Sequence, residues 1–356
     1  MKRATIKDVA RRAGVSTATV SFVLNQNPKE AISETVRVRV LDAARALSYH
    51  PNAAASALAR RRVQNVALVF YKDEDMITNP FYSFLVQGAI KEAIERNYDI
   101  LFSYVEATYA GYETLPKIVR EKNAGGVLFM RRVEPRMVAD IQALGIPVVA
   151  VDENPRISGL NSVQIDNRRG GTLAAEHLMQ LGHEQLAMLV PKRTATSIDE
   201  RLEGFRAAFE KLDRPFSRAS HVLHTEALTF SDGFDATREL LQEQRLTALF
   251  CANDEMAAGA LRAAHELGVA VPRDFSVVGF DDILMSNYTD PPLTTVKVVK
   301  EHMGRRAMTR LIELVEQTDT RVKVEMAPVE LVQRASTARV RERASAPKRK
   351  GRSKAR

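Results

Sequence analysis

Seven side chains stand just beyond short apolar runs, and their types suit one task. Asp152 follows the run 147–151, Asn253 and Asp254 follow 248–252, and Asp281 follows 276–280. Arg201 opens a helical stretch after the run that ends at Val190 and its loop, and Phe81-Tyr82 follow the Asn79-Pro80 turn. In open α/β sheets a ligand binds beyond the carboxyl ends of the strands. Carboxylates, an amide and a guanidinium beside aromatic faces suit a polyhydroxylated molecule, whose hydroxyls meet the polar groups and whose C–H faces meet the rings. This is recognition chemistry rather than turnover. The chain has no G-x-x-x-x-G-K-[ST] loop, no G-x-G-x-x-G after a strand and no G-x-S-x-G elbow, so no enzyme is expected. His221 and His224, the closest histidine pair, lack neighbouring ligands, and no metal or other cofactor is expected.

Those residues need a scaffold, and the texture from residue 64 onward supplies one. Runs 65–70, 99–104, 126–130, 147–151, 162–165, 185–190, 248–252 and 276–280 read as strands. Amphipathic stretches such as 82–96, 170–181, 200–212, 233–244 and 255–267 lie between many of them. Alternation of this kind predicts parallel sheets with helices on both faces. Residues 64–333 exceed one comfortable core, so an α/β body of two doubly wound parallel-sheet subdomains is expected.

The first 50 residues are built differently. Thr5 with Asp8 makes a capping-box-like start, Gly14 stops the helix, and Ser16 caps a second in which Val20, Val23 and Leu24 recur. Ser33 opens a third helix. A helix, a tight glycine turn and a helix of matching length place the second helix in the DNA major groove. Residues 51–63 follow as a short linker, Pro51-Asn52 then five alanines, Ser56 and Leu58. Its helix propensity is high, but it is about three turns long and marginal alone.

The charge map agrees with a polyanion partner. The net charge is +8. Residues 1–63 hold 12 Lys/Arg against 4 Asp/Glu, and residues 334–356 hold 10 against 1, which leaves 64–333 at a net −9. The end 334–356 reads as a disordered basic tail. One cysteine, Cys251, forbids an internal disulfide. No apolar run approaches the roughly 18 residues of a membrane span, and Met1 to Gly14 lacks the apolar core of a signal peptide. A cytoplasmic protein without a membrane partner is expected.

The stretch Thr5 to Asn25, with Tyr49-His-Pro-Asn52 and Leu58 after it, resembles the headpiece of the lac repressor/galactose repressor family of bacterial regulators. The resemblance covers residues 4 to about 337. It implies an all-α helix-turn-helix headpiece (1–50), a hinge helix (51–63) and a two-lobed, periplasmic-binding-protein-like effector and dimerisation domain (64–333). It also implies a homodimer on a palindromic double-stranded DNA operator, acting as a repressor, with a small-molecule effector, most readily a sugar, in the cleft. By position Thr17, Ala18 and Phe22 meet base edges, while Thr5, Ser16, Thr19, Ser21 and Asn25 serve as caps and phosphate contacts. Tyr49, Asn52, Ala55 and Leu58 belong to the hinge approach, with Leu58 the minor-groove wedge. Relatives with arginine at the Phe22 position are suited to guanine; this chain departs there.

In the body, the segment Asp199 to Phe205 resembles the family's effector arginine on its helix. Cys251 to Met256 and Val278 to Asp282 resemble strand-end segments, and Asp166-Asn167 with Gly170-Gly171 matches as a helix cap. The chain has no tryptophan, so any indole platform is replaced, by Leu228 or Phe230. Three alternatives stay open: control by a protein co-effector, a nucleoside-type ligand, or a sugar-binding protein of the cytoplasm.

Overall fold

The computed structural model describes residues 4–24, 32–49, 63–72, 78–106, 108–152, 157–193, 195–243 and 246–340. The chain divides into two compact units, 1–64 and 65–356.

Among the described residues of the first unit stand three helices, α1 (Ile6–Ala13), α2 (Thr17–Leu24) and α3 (Glu34–Ala46). Asp8 Oδ2 accepts from the Thr5 amide at 2.9 Å and the Thr5 hydroxyl at 2.7 Å, which fixes the entry to α1. Gly14 sits at φ 65°, a left-handed stop that costs glycine nothing. The Ser16 hydroxyl then accepts from the Thr19 amide at 3.0 Å and starts α2. Val9, Val20, Val23 and Val40 meet in a small core with Ala10, Ala13, Ala43 and Ala44.

In the second unit two six-stranded sheets form. One runs in the order β11-β5-β4-β3-β1-β2, all parallel, from β1 (Asn65–Tyr71), β2 (Asp99–Val105), β3 (Gly126–Met130), β4 (Val148–Val151), β5 (Asn161–Ile165) and β11 (Val324–Ala327). The other runs β12-β10-β9-β8-β6-β7, from β6 (Leu186–Pro191), β7 (Val222–Thr225), β8 (Ala248–Cys251), β9 (Ser276–Asp281), β10 (Thr294–Val298) and β12 (Val329–Val332), with only β12 antiparallel. Alternate residues of β1 feed separate cores, Val66, Leu68 and Phe70 on one face and Ala67, Val69 and Tyr71 on the other. The sheet is therefore covered on both sides, the condition for parallel strands.

The two lobes are not consecutive in sequence. The chain crosses between them at 165–167, returns at 298–300, and crosses again at 327–329. The expected strands and helices are present, each within four residues at its ends. The structure adds four strands, β7, β10, β11 and β12, the helices Pro135–Ala143 and Lys300–Glu316, and the single turns Lys117–Arg120 and Arg218–His221. The expected basic tail is corrected at its start. Arg334 pairs with Asp282 at 2.6 Å, the fully buried Ser336 hydroxyl donates to the Val277 carbonyl at 2.6 Å, and the Val340 amide donates to the Leu181 carbonyl at 2.9 Å. Residues 334–340 thus belong to the second lobe, and the remainder of the tail lies outside the described residues.

Candidate functional site

On α2 the expected DNA-reading residues share a face. Thr17 and Ala18 are exposed, Ser21 and Phe22 half-buried, and one helical turn separates the two pairs. Val20 and Val23 point the opposite way into the core. Thr5 and Ser16 act as caps, and Thr19 lies 2.9 Å from the Ser16 hydroxyl. Tyr49 is half-buried against the headpiece core. Asn25, Asn52, Ala55 and Leu58 lie outside the described residues.

Between the two lobes lies a cavity of about 380 Å³. Its walls come from the loops and helix starts that follow strand ends in both sheets: Phe81 and Tyr82, Arg131, Asp152, Arg201, Leu228, Asn253, Glu255 and Asp281 among them. Six of the seven expected residues meet here. Phe81 and Tyr82 pack edge to face, their amides both held by the Asn79 side chain at the helix start. The Tyr82 hydroxyl donates to Asp152 Oδ2 at 2.9 Å.

Arg201 is the most constrained member. Its helix (Thr196–Lys211) lies against Asn167–Gln180 so closely that a Cβ on Gly204 or Gly171 would meet backbone oxygen at 1.9 Å. The guanidinium lies 3.6 Å over the Phe280 ring. Nε donates to Asn167 Oδ1 at 2.9 Å, Nη1 donates to the Ala252 carbonyl at 2.6 Å, and Nη2 stands 3.7 Å from Asp281 Oδ1. The stretch Asp166-Asn167 is the helix cap it was expected to be, with Asp166 Oδ1 accepting from the Arg169 amide at 2.9 Å, and Asn167 beside it is a buried partner of this arginine.

Two carboxyl groups keep an oxygen without a hydrogen bond in this setting. Asp152 Oδ1 and Asp281 Oδ1 are buried without a hydrogen-bond partner, and the two residues come from opposite lobes. Burial pushes Asp281 up to about 8 against the pull of Arg201, and burial raises Asp152 against Arg201 and the Tyr82 hydroxyl. Tyr82 is raised by burial and by Asp152 beside it.

Asp254, expected at the ligand, is the exception. It does not line the cavity. At 1% exposure it accepts from Thr295 Oγ1 at 2.5 Å, Ser286 Oγ at 2.7 Å and the Ile283 amide at 2.9 Å, so it braces the loop after β9. Its neighbour Asn253 caps the helix Asp254–Glu266, accepting from the Met256 amide at 2.9 Å. Of the two candidates for the missing indole, Leu228 lines the wall and Phe230 is 45% exposed outside it. Arg131 and Glu255 were missed, although Arg131 directly follows β3 and obeys the strand-end rule. His221 stacks on Phe216 and meets Phe209 at a tilt.

Residues 5–52 match the model of bacterial regulatory proteins of the lacI family, and residues 175–337 match a periplasmic binding protein-like domain. The ribose operon repressor of Escherichia coli K12 is 32% identical over 337 residues, covering 94% of this chain and 99% of the relative. The chain belongs to the lacI family of bacterial regulatory proteins. Its structure also resembles that of the lac repressor dimer bound to operator and the anti-inducer ONPF, with TM-score 0.80 at 29% identity, over 95% of this chain and all of that one. A lacI-family regulator of Enterococcus faecium with bound ribose has TM-score 0.69 at 26% identity, over 78% of this chain and all of that one. This lacI-family chain is a ligand-responsive DNA-binding transcriptional regulator and not an enzyme. Among the described residues no helix is long and apolar enough to cross a membrane.

Proposed function

We propose that this regulator is a cytoplasmic repressor that binds a palindromic operator as a homodimer and responds to a monosaccharide of pentose size in the cavity. The observation that carries the effector class is the pair of open carboxylate oxygens, Asp152 Oδ1 and Asp281 Oδ1, set in opposite lobes across one cavity. A carboxyl oxygen buried without a partner asks for a ligand hydroxyl, which donates to the ionised form and accepts from the neutral one. Phe81 and Tyr82 supply a wall for C–H faces, while Arg201, Asn253 and Arg131 supply donors. The likeness to a ribose operon repressor and to a ribose-bound regulator supports the same class.

In the DNA-binding unit, Thr17, Ala18 and Phe22 read base edges; Thr5, Ser16, Thr19, Ser21 and Asn25 position the helix on phosphates. Tyr49, Asn52, Ala55 and Leu58 form the approach to the minor groove. Ligand then acts by changing the relative population of two lobe arrangements with different operator affinity.

Isothermal titration of the full chain with D-ribose, D-galactose and adenosine tests the effector class. Ribose should give a saturable heat, and Asp152→Asn and Asp281→Asn should each weaken it at least roughly tenfold, a loss of about 1.4 kcal/mol. Binding of adenosine alone, or silence with all three, would contradict the reading.

A further inference from the structure

We propose that Lys300 is a positioning residue that ties the effector carboxylate Asp281 to the first lobe, so that cavity occupancy reaches the lobe junction through one side chain. The inference rests on the cavity being the effector site.

Lys300 is the first residue of the helix Lys300–Glu316, directly after the second crossing of the chain between lobes. That helix belongs to the first lobe. It packs on β3, β4 and β5 and on the helix Pro80–Glu95. The two helices are in backbone contact: a Cβ on Gly88 would lie 2.0 Å from the Glu301 carbonyl oxygen, and one on Gly304 would lie 1.9 Å from that of Leu85. Lys91 to Glu301 at 2.7 Å and Arg305 to Glu95 at 2.9 Å add ion pairs along the seam.

The Lys300 side chain reaches the other way. At 7% exposure its ammonium donates to the Asp281 carbonyl, to the Asp282 carbonyl at 3.0 Å and to the Val298 carbonyl at 3.3 Å. Asp281 and Asp282 are consecutive non-glycine residues at φ 108° and 53°. Such backbone persists only where its surroundings over-determine it. Here Lys300 holds both carbonyls and Arg334 holds the Asp282 carboxylate at 2.6 Å. Around the ammonium stand Asp254, Asp281 and Asp282 with Lys297; burial pushes its pKa down and the three carboxylates oppose that.

The path closes on itself. The helix Pro80–Glu95 that receives Lys300's helix opens with Phe81 and Tyr82, which line the opposite wall of the cavity. A ligand that engages Asp281 therefore loads a strained turn whose backbone is pinned by a residue of the lobe facing it.

Lys300→Met in the full chain tests this, with Lys300→Arg as the variant that keeps charge and donors. Two readouts are needed. First, amide hydrogen exchange without ligand should show protection lost on both sides, at 281–283 and in the first turns of Pro80–Glu95 and Lys300–Glu316. Loss confined to 281–283 would overturn the strut. Second, the ratio of operator affinities with and without D-ribose should fall at least fivefold in Lys300→Met and recover by at least half in Lys300→Arg. A ratio unchanged within twofold would also overturn it. If wild type ignores ribose, the sugar reading fails and the exchange pattern alone decides the strut. Should Lys300→Met lose its thermal transition, Lys300→Gln carries the same comparison.

Discussion

Arg201 Nη2 stands 3.7 Å from Asp281 Oδ1, near enough to share charge and too far to share a hydrogen bond. The rest of the guanidinium is committed, to Asn167, to the Ala252 carbonyl and to the Phe280 ring, so it cannot close the gap by moving. A buried guanidinium and a buried carboxyl held apart at a cavity wall leave an opening for a ligand hydroxyl, which accepts from the arginine and bonds the carboxyl oxygen.

Arg201→Ala should therefore retain operator binding and lose effector binding. Hydrogen bonds to charged groups are worth about 1.5–3 kcal/mol each, so the ribose Kd should rise roughly ten- to hundredfold or more. Titration calorimetry measures it, and an unchanged midpoint would remove Arg201 from the site.

Asp281 sets a pH signature. Its folded-state pKa of about 8 lies above the ordinary 3.8, raised by burial. The stability contributed by its neutral form is fully present below the ordinary value and is lost as pH climbs through about 8. The ligand-free chain should thus lose thermal stability across pH 5 to 8, and Asp281→Asn should flatten part of that slope. An identical slope in the variant would show that the carboxyl is ionised throughout.

Gly204→Ala forces a Cβ against the Arg168 carbonyl oxygen, 1.9 Å away, with no flexible atom to yield. Overpacking of this kind costs about 1–3 kcal/mol. A drop in Tm of several degrees, with weaker ribose binding because the Arg201 helix is displaced, is the expected result in a thermal-shift series.

Truncation separates the two halves of the C-terminal end. Removing 341–356 should leave Tm unchanged and flatten the salt dependence of nonspecific DNA binding, since fewer cations contact phosphate. Removing 334–356 also takes away Arg334 and the buried Ser336 and should lower Tm sharply. Equal Tm for the two truncations would place 334–340 outside the fold.

Phe22→Arg should shift operator preference towards guanine at one position per half-site, because arginine bonds guanine O6 and N7 where phenylalanine offers only apolar contact. Selection from a randomised operator pool reads this out.

The central strands were legible because both faces are buried, which makes each a continuous apolar run, as in Gly126–Met130. β11 and β12 were not: they are edge strands with exposed or half-buried Val324, Glu325, Met326 and Glu330, and their pairing appears only once the chain has returned to each lobe. The helix Lys300–Glu316 hides behind Gly304 and a polar start, which make sense only against Gly88. In the cavity, the strand-end rule found Asp152, Asn253 and Asp281, and it applies equally to the overlooked Arg131. It could not separate Asn253 from Asp254, whose side chains diverge at a helix start. Nor could it reveal Asn167 or Lys300, whose roles depend on which lobe each helix joins.

Operator binding by the full chain, titrated with D-ribose beside Arg201→Ala, tests the ligand switch most directly. Ribose should change the wild-type operator Kd by at least about fivefold, the scale of allosteric coupling, and leave Arg201→Ala unmoved. Ribose that binds the wild-type cavity with no change in operator Kd would contradict it.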